Sequence, residues 1–449
     1  MPTLFQSLPL RQWYNYLCRH NRTIANHLIV LLAFFLPMLE RPRTTIIFLL
    51  LILLVFKKDL FSDLKNALLN RVIQAFILFW SVNAFLVPFS LDLAFSFSYI
   101  NDIKFFVLIP LLLFINVDKA FIPRIFGAFI LGMLLSELLS YALIFHLIEH
   151  VPYGTHHASA KDPSPFLYHM GYGVILSFTA ILLLYNTLKA TKNLQKLLYG
   201  LFFITVSINV FMNAGRTGYV IYAIAVMTLL LLMYRQHLFK IILIGSLFLV
   251  TVYSLAFTFS PLFQKQMGKA IQSVENIVTK GDLHSNIGAR IAMGEIAIEC
   301  IKDRPLIGHG PNIAAPVISQ KAREINSPIT YLHNLQFIHI DNQYLETLVS
   351  IGILGALFLI NIFIQIIRFK QPDPMLKTIQ ISLLVLVLAY GVEATFMTDM
   401  GFISKLFLVF TTLTLVTSTH LEKLEKLHVK NFLYYALSAI LIFFISINS

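Results

Sequence analysis

Long apolar runs recur along this chain and leave it few folds to choose from. About thirteen are visible, at residues 25–39, 45–56, 72–88, 104–117, 121–146, 166–186, 197–213, 217–234, 238–259, 343–367, 378–398, 402–418 and 431–447. Most are long enough to cross the roughly 30 Å hydrocarbon core of a bilayer as helices. In lipid a spanning segment must satisfy its own backbone hydrogen bonds, which leaves only helices and closed barrels. A barrel would alternate at period two, and these runs do not. Composition agrees: 12% of residues are charged, against about 25% in soluble domains. The expected fold is an all-α, polytopic helical membrane protein with about 12–13 transmembrane helices.

One long polar stretch, residues 260–342, interrupts the apolar pattern. It divides the chain into transmembrane helices at 1–259, a loop subdomain at 260–342, and C-terminal transmembrane helices at 343–449. The first two apolar runs are short and are split by Glu40-Arg-Pro-Arg43, so they read as a tight hairpin or a partly re-entrant pair. No internal repeat of the transporter kind is visible. Residues 1–24 are polar and aromatic, and no small-residue cleavage site follows, so a cleavable signal is not expected.

The net charge of +12 reads as topology and attraction to anionic lipid, not as nucleic-acid binding. With a cytoplasmic N-terminus, alternating segments place 20 of the 34 basic residues inside. Six fall in short outer segments: Arg41, Arg43, Lys104, Lys161, Arg216 and Lys405. The other eight lie in 260–342, too long a loop for the positive-inside rule. The long loop, Arg216 and the 147–165 connection are then expected together on the outer face. Cys18 and Cys300 fall on opposite sides, so no intrachain disulfide is expected.

The long loop carries helical signals. Residues 262–279 are spaced as an amphipathic surface helix, and 288–303 as a second helix stopped by Arg304-Pro305. Leu306-Ile-Gly-His-Gly-Pro311 reads as a turn. A short helix is expected at 313–325, ended by Ser327-Pro328.

Arg216 lies in Asn213-Ala-Gly-Arg-Thr-Gly-Tyr219, between two apolar runs. A membrane-edge arginine is costly and marks function by default. Its rigid fork suits phosphate oxygens, and Gly215 and Gly218 would let the backbone turn tightly against a ligand. The alternative, a snorkelling anchor, fits poorly on the outer side. Arg290 opens the second loop helix, where free amides also favour anions; alternatively it is a solvated loop arginine. Lys104 is a third candidate cation or a snorkelling lysine. At the end of the loop, His339 and Asp341 are candidate general bases, while Asp341 or Asn342 could instead be a helix N-cap. Asn342, Tyr344 and Tyr219 are candidate substrate-positioning groups. His156, His157, His169, His309 and His333 lie elsewhere, and no HExxH or Cys/His cluster predicts a metal site. No Walker loop or strand-preceded GxGxxG is present, so nucleotide hydrolysis is not expected.

The ordered set NAGRTGYV, GARIAMGEIAIECIKDRPLIGHGPN and HIDNQYLETLVSIGILG, split by one long loop, resembles the O-antigen ligase / O-antigen polymerase superfamily of bacterial envelope glycosyltransferases. DPSPFLYHMGYGVILSFTAILLLY looks like the ligase branch. The resemblance implies a multi-pass inner-membrane enzyme with its active site facing the periplasm. It implies an undecaprenyl diphosphate-linked glycan as donor and, for a ligase, lipid A–core as acceptor, with no metal or other cofactor. Arg216 and Arg290 match the family arginines thought to hold the diphosphate. The common ligase pattern has His-Asn before the re-entering helix, where this chain has Asp341-Asn342. That pair also occurs in polymerase-like members. His339 as base, with Asp341 second, and inversion by direct displacement are the resulting expectations.

Overall fold

The computed structural model describes residues 8–151, 158–329, 332–333, 340–396 and 402–416. Before the 147–165 connection the helices are α1 (Leu8–Phe35), α2 (Glu40–Leu54), α3 (Leu60–Leu69), α4 (Arg71–Leu86), α5 (Leu93–Asp102), α6 (Phe105–Asn116) and α7 (Ile122–Ile144). Then come α8 (His169–Lys189), α9 (Asn193–Phe211), α10 (Arg216–Met233) and α11 (Leu238–Phe259). The loop supplies α12 (Pro261–Lys280), α13 (Asn286–Asp303) and α14 (Ala314–Glu324), and the chain returns with α15 (Gln343–Arg368), α16 (Pro374–Glu393) and α17 (Phe402–Leu415). Among the described residues nine helical stretches are long and apolar enough to cross a membrane. The protein is a multi-pass, all-α membrane protein. The 431–447 run lies outside the described residues.

Two boundaries differ from the sequence reading. The first apolar run extends backwards to Leu8, because an amphipathic helix continues past the residues that lipid requires. Asn21 and Asn26 fix this extension: Asn21 donates to Leu53 O at 2.6 Å, and Asn26 to Asn116 O at 3.1 Å. The run at 104–117 is joined to α5, so the candidate span is Leu93–Asn116 and Lys104 sits at the break within it.

Lipid tails are as apolar as the side chains, so helix association here rests on close packing. Interlocking rings supply it. Phe410 of α17 meets Phe129 of α7 and Phe178 of α8, both at 4.9 Å between centroids, and Phe407 meets Phe76 of α4 at 6.0 Å. Each such pair contributes about 0.5–1.5 kcal/mol beyond its burial. Every side chain from Ile403 to Leu415 is buried, so α17, though only 14 residues long, is the bundle's axis. By contrast, only 6% of the apolar window in the Arg235–Phe259 span is buried, which makes α11 a peripheral helix.

The three loop helices fall where their apolar spacing placed them. Ser260 and Ser285 cap α12 and α13, accepting from Phe263 N and Gly288 N at 3.2 Å each. The loop has its own apolar core, built from Ala292, Ile296, Ala297 and Cys300 of α13, Ile318 of α14 and Val349 of α15. Its attachment to the bundle was not foreseen: α15 is broken at Gly352 (φ 63°, ψ −166°), a conformation essentially confined to glycine. The freed backbone groups are satisfied by the turn at 305–310. Ile353 N and Leu354 N donate to Pro305 O and Leu306 O at 2.9 and 3.1 Å, while His309 N and Gly310 N donate to Val349 O and Ser350 O at 3.1 and 2.8 Å. A Cβ at Gly352 would stand 2.4 Å from Leu306 O. Non-helical backbone at this depth survives only where protein satisfies it, and the turn does so.

Candidate functional site

Three chain segments meet where α10 starts, α15 starts and α16 ends. Arg290, in the first turns of α13, reaches across this junction. Its Nε and Nη2 both donate to Asp341 Oδ2 at 3.1 Å, and its Nη1 to Glu393 Oε2 at 3.3 Å. All three side chains remain about one-third exposed. Thr217, the second residue of α10, donates to the same Glu393 oxygen at 3.1 Å. Glu393 therefore links the helix that opens with Arg216 to the loop helix that carries Arg290. Arg216 itself is half-buried, with no hydrogen-bond or ion-pair partner among the described residues.

The position of Asp341 is set by its neighbours. Asn342 is the N-cap of α15: its Oδ1 accepts from Tyr344 N and Leu345 N at 3.0 and 2.9 Å. Its Nδ2 donates to Val392 O at 3.0 Å, tying the start of α15 to the end of α16. Tyr344 adds a second tie, donating to Leu388 O at 2.7 Å. Buried Glu346, in the first turn of α15, accepts from Ile340 N at 3.0 Å and from Ser350 Oγ at 3.0 Å. A carboxylate there suits the positive end of the helix and fixes the backbone immediately before Asp341.

The turn preceding Arg216 is equally built. Asn213, fully buried, accepts from Gly215 N at 3.0 Å and donates to His169 O at 3.2 Å. Tyr219 donates to Asn213 O at 2.5 Å and stacks on Phe211 at 5.6 Å. Gly215 and Gly218 serve packing: a Cβ at Gly215 would lie 2.7 Å from His169 O, and one at Gly218 2.9 Å from Gly173 Cα. That close crossing of α8 and α10 presses the N-terminus of α10 into place; the expected approach to a ligand gives way to an approach to α8.

Of the residues singled out from sequence, the structure brings Arg290 and Asp341 into contact and connects Arg216 to them through Thr217 and Glu393. Asn342, Tyr344 and Tyr219 have their polar groups engaged inside the protein, so they brace the site. Lys104 joins a different set: it donates to Asn101 Oδ1 at 2.9 Å and lies over the Phe105 ring. His339 lies outside the described residues, as do His156 and His157. His309 is buried with Nε2 against Cys300 O at 2.9 Å. Sequence reasoning passed over Glu393 as a site residue, although an acid at the end of an apolar run carried the same signal that drew attention to Arg216. Among the described residues no three His, Cys, Asp or Glu side chains gather as metal ligands.

Half-exposed ion pairs of this kind contribute about 0–1 kcal/mol to stability, so the cluster is poor glue, while its guanidinium is held in a fixed orientation and stays open to exchange. Residues 200–360 match the family described as O-antigen ligase. An uncharacterized protein of Haemophilus influenzae is 26% identical over 210 residues, covering 45% of this chain and 51% of that protein. The chain thus spans about half the length of the curated relative it matches. Arg216, Arg290 and Asp341 all fall inside the matched residues, so the stretch that carries them is similar to the O-antigen ligase family.

Proposed function

We propose that the protein is an O-antigen ligase, an inverting, metal-independent glycosyltransferase of the bacterial inner membrane. It moves a glycan from undecaprenyl diphosphate to a sugar hydroxyl of lipid A–core, with its site on the periplasmic side. The observation that carries this reading is the Arg290–Glu393–Thr217 linkage, which brings the Arg216 end of α10 to the loop arginine. The leaving group is a diphosphate, and two guanidinium groups that hold it as negative charge builds would lower the barrier.

Asp341 and Glu393 pair with Arg290. On this reading donor phosphate displaces Asp341 from the guanidinium. The acceptor hydroxyl then attacks the anomeric carbon. The new C–O bond forms as the bond to the diphosphate oxygen breaks, and the hydroxyl proton passes to His339 or Asp341. Asn342, Tyr344, Glu346 and Tyr219 hold the surrounding backbone in place.

A polymerase reading, with a lipid-linked repeat as acceptor, is favoured by one feature: Asp341-Asn342 stands where the ligase pattern has His-Asn. Lipopolysaccharide from a deletion strain separates the two. Loss of a ligase leaves core without O-chain, and loss of a polymerase leaves core carrying one repeat. Wild-type lipopolysaccharide from the deletion strain would exclude both. Transfer in vitro with defined donor and acceptor, comparing His339→Ala and Asp341→Asn, identifies the base: the variant that retains full transfer is not it.

A further inference from the structure

Three of the six basic residues assigned to short outer segments converge at a second place. Arg43 comes from the first turn of α2, Lys104 from the α5–α6 break and Lys405 from the first turn of α17. Lys104 and Lys405 lie over the same Phe105 ring, at 5.7 and 4.5 Å from its centroid, and Arg43 lies over Phe402, three residues before Lys405. We propose that Arg43, Lys104 and Lys405 form a second anion site at the loop-bearing end of the bundle, which takes the phosphate group of a membrane amphiphile.

Two of the cations, Arg43 and Lys405, are buried and the nearby acids are not. Arg43 is 1% exposed; its Nε and Nη1 donate to Leu39 O and Leu36 O at 3.1 and 3.3 Å, and its Nη2 has no partner. The Lys405 side chain is 5% exposed and its ion pair, with Glu40 at 3.4 Å, is long. Glu40 is itself 56% exposed, and Asp102, the other nearby acid, is exposed. A buried cation with no carboxylate on it, as at Arg43, is costly. Rings line the cluster: Arg43 lies 4.1 Å above Phe402, and Lys405 lies 4.5 Å above Phe105. Cation–π contact offsets part of that cost and leaves the charges free for a ligand.

Depth selects the ligand. Lys405 follows Glu393 by twelve residues across the short α16–α17 connection, and α5, which leads to Lys104, is held to the loop by Ser96 Oγ donating to Pro311 O at 2.7 Å. The cluster therefore shares the bundle end with the Arg290 site. Headgroup phosphates lie at that level, and lysine and arginine at membrane ends bind them. Lys104, half-exposed, is the entrance. The site is independent of the transferase reading, because its readout is binding.

The test uses the full chain in phosphatidylcholine nanodiscs, with Arg216→Ala and Arg290→Ala both present to silence the first site. Phosphatidic acid, inorganic phosphate and uncharged diacylglycerol are titrated separately. Phosphatidic acid should bind, and Lys104→Gln should weaken it about tenfold, equivalent to about 1.4 kcal/mol. Lys405→Gln should do the same if it folds; Lys104→Gln, at a half-exposed position, decides the matter otherwise. Equal affinity for inorganic phosphate would support the site and assign its phosphate to a soluble source. Binding that is unchanged in Lys104→Gln, or equal for diacylglycerol, would overturn the proposal.

Discussion

Arg290 and Arg43 are both arginines at the same end of the bundle, yet the protein treats them differently. Arg290 is about one-third exposed and gripped by two carboxylates from separate elements. Arg43 is buried against backbone carbonyls and a phenyl ring, with no carboxylate on its guanidinium. The first arrangement is cheap to open, since its groups return to water when separated. The second is costly to disturb, since the carbonyls of Leu36 and Leu39 would lose a charged donor in a dry place. The contrast separates an arginine poised for exchange from one that also holds up the fold.

Arg290→Ala should give the largest effect. Transfer should fall by about 10²–10³-fold, as when one donor to a developing anion is removed, with thermal stability nearly unchanged because the ion pairs are half-exposed. A large loss of stability instead would erase the contrast. Arg43→Met should do the reverse in melting experiments, lowering stability by about 2–3 kcal/mol through the unpaired carbonyls. Gly352→Ala should be of the same size, about 2–3 kcal/mol, because alanine cannot adopt that backbone and its Cβ would strike Leu306 O. Glu393→Gln keeps the contact to Thr217 but removes a charge from Arg290, so transfer should fall less than about tenfold, well short of the loss of a donor.

The smallest expected effect is chemical. Burial pushes the Cys300 thiol up to about 12, and Asp303 adds to it. A raised value keeps the thiol protonated and unreactive below that pH. In the folded protein a maleimide at pH 8 should therefore leave Cys300 unlabelled. Prompt labelling would mean that α13, which also carries Arg290, is not seated on its core.

Local signals were readable and long-range ones were not. Apolar spacing and Pro305 announced α12, α13 and α14 within a few residues. Arg216 and Arg290 stood out because charge is rare in such a chain. The break in α15 was hidden, since residues 343–367 form a continuous apolar run and the turn that satisfies Gly352 lies some forty residues upstream. Asn342 and Tyr344 looked like substrate contacts because their partners, the carbonyls of Val392 and Leu388, are backbone atoms that no motif encodes. Lys104 looked like a member of the Arg290 site because sequence gives the side of the membrane but not the position around the bundle.

The central claim is that Arg216 and Arg290 act on one leaving group. A double-mutant cycle on transfer from an undecaprenyl diphosphate-linked glycan measures it, using Arg216→Ala, Arg290→Ala and the double variant, each checked for folding. If both arginines grip the same diphosphate, the double variant should be scarcely slower than the worse single variant. Effects that simply multiply, or a single variant with undiminished transfer, would contradict the account.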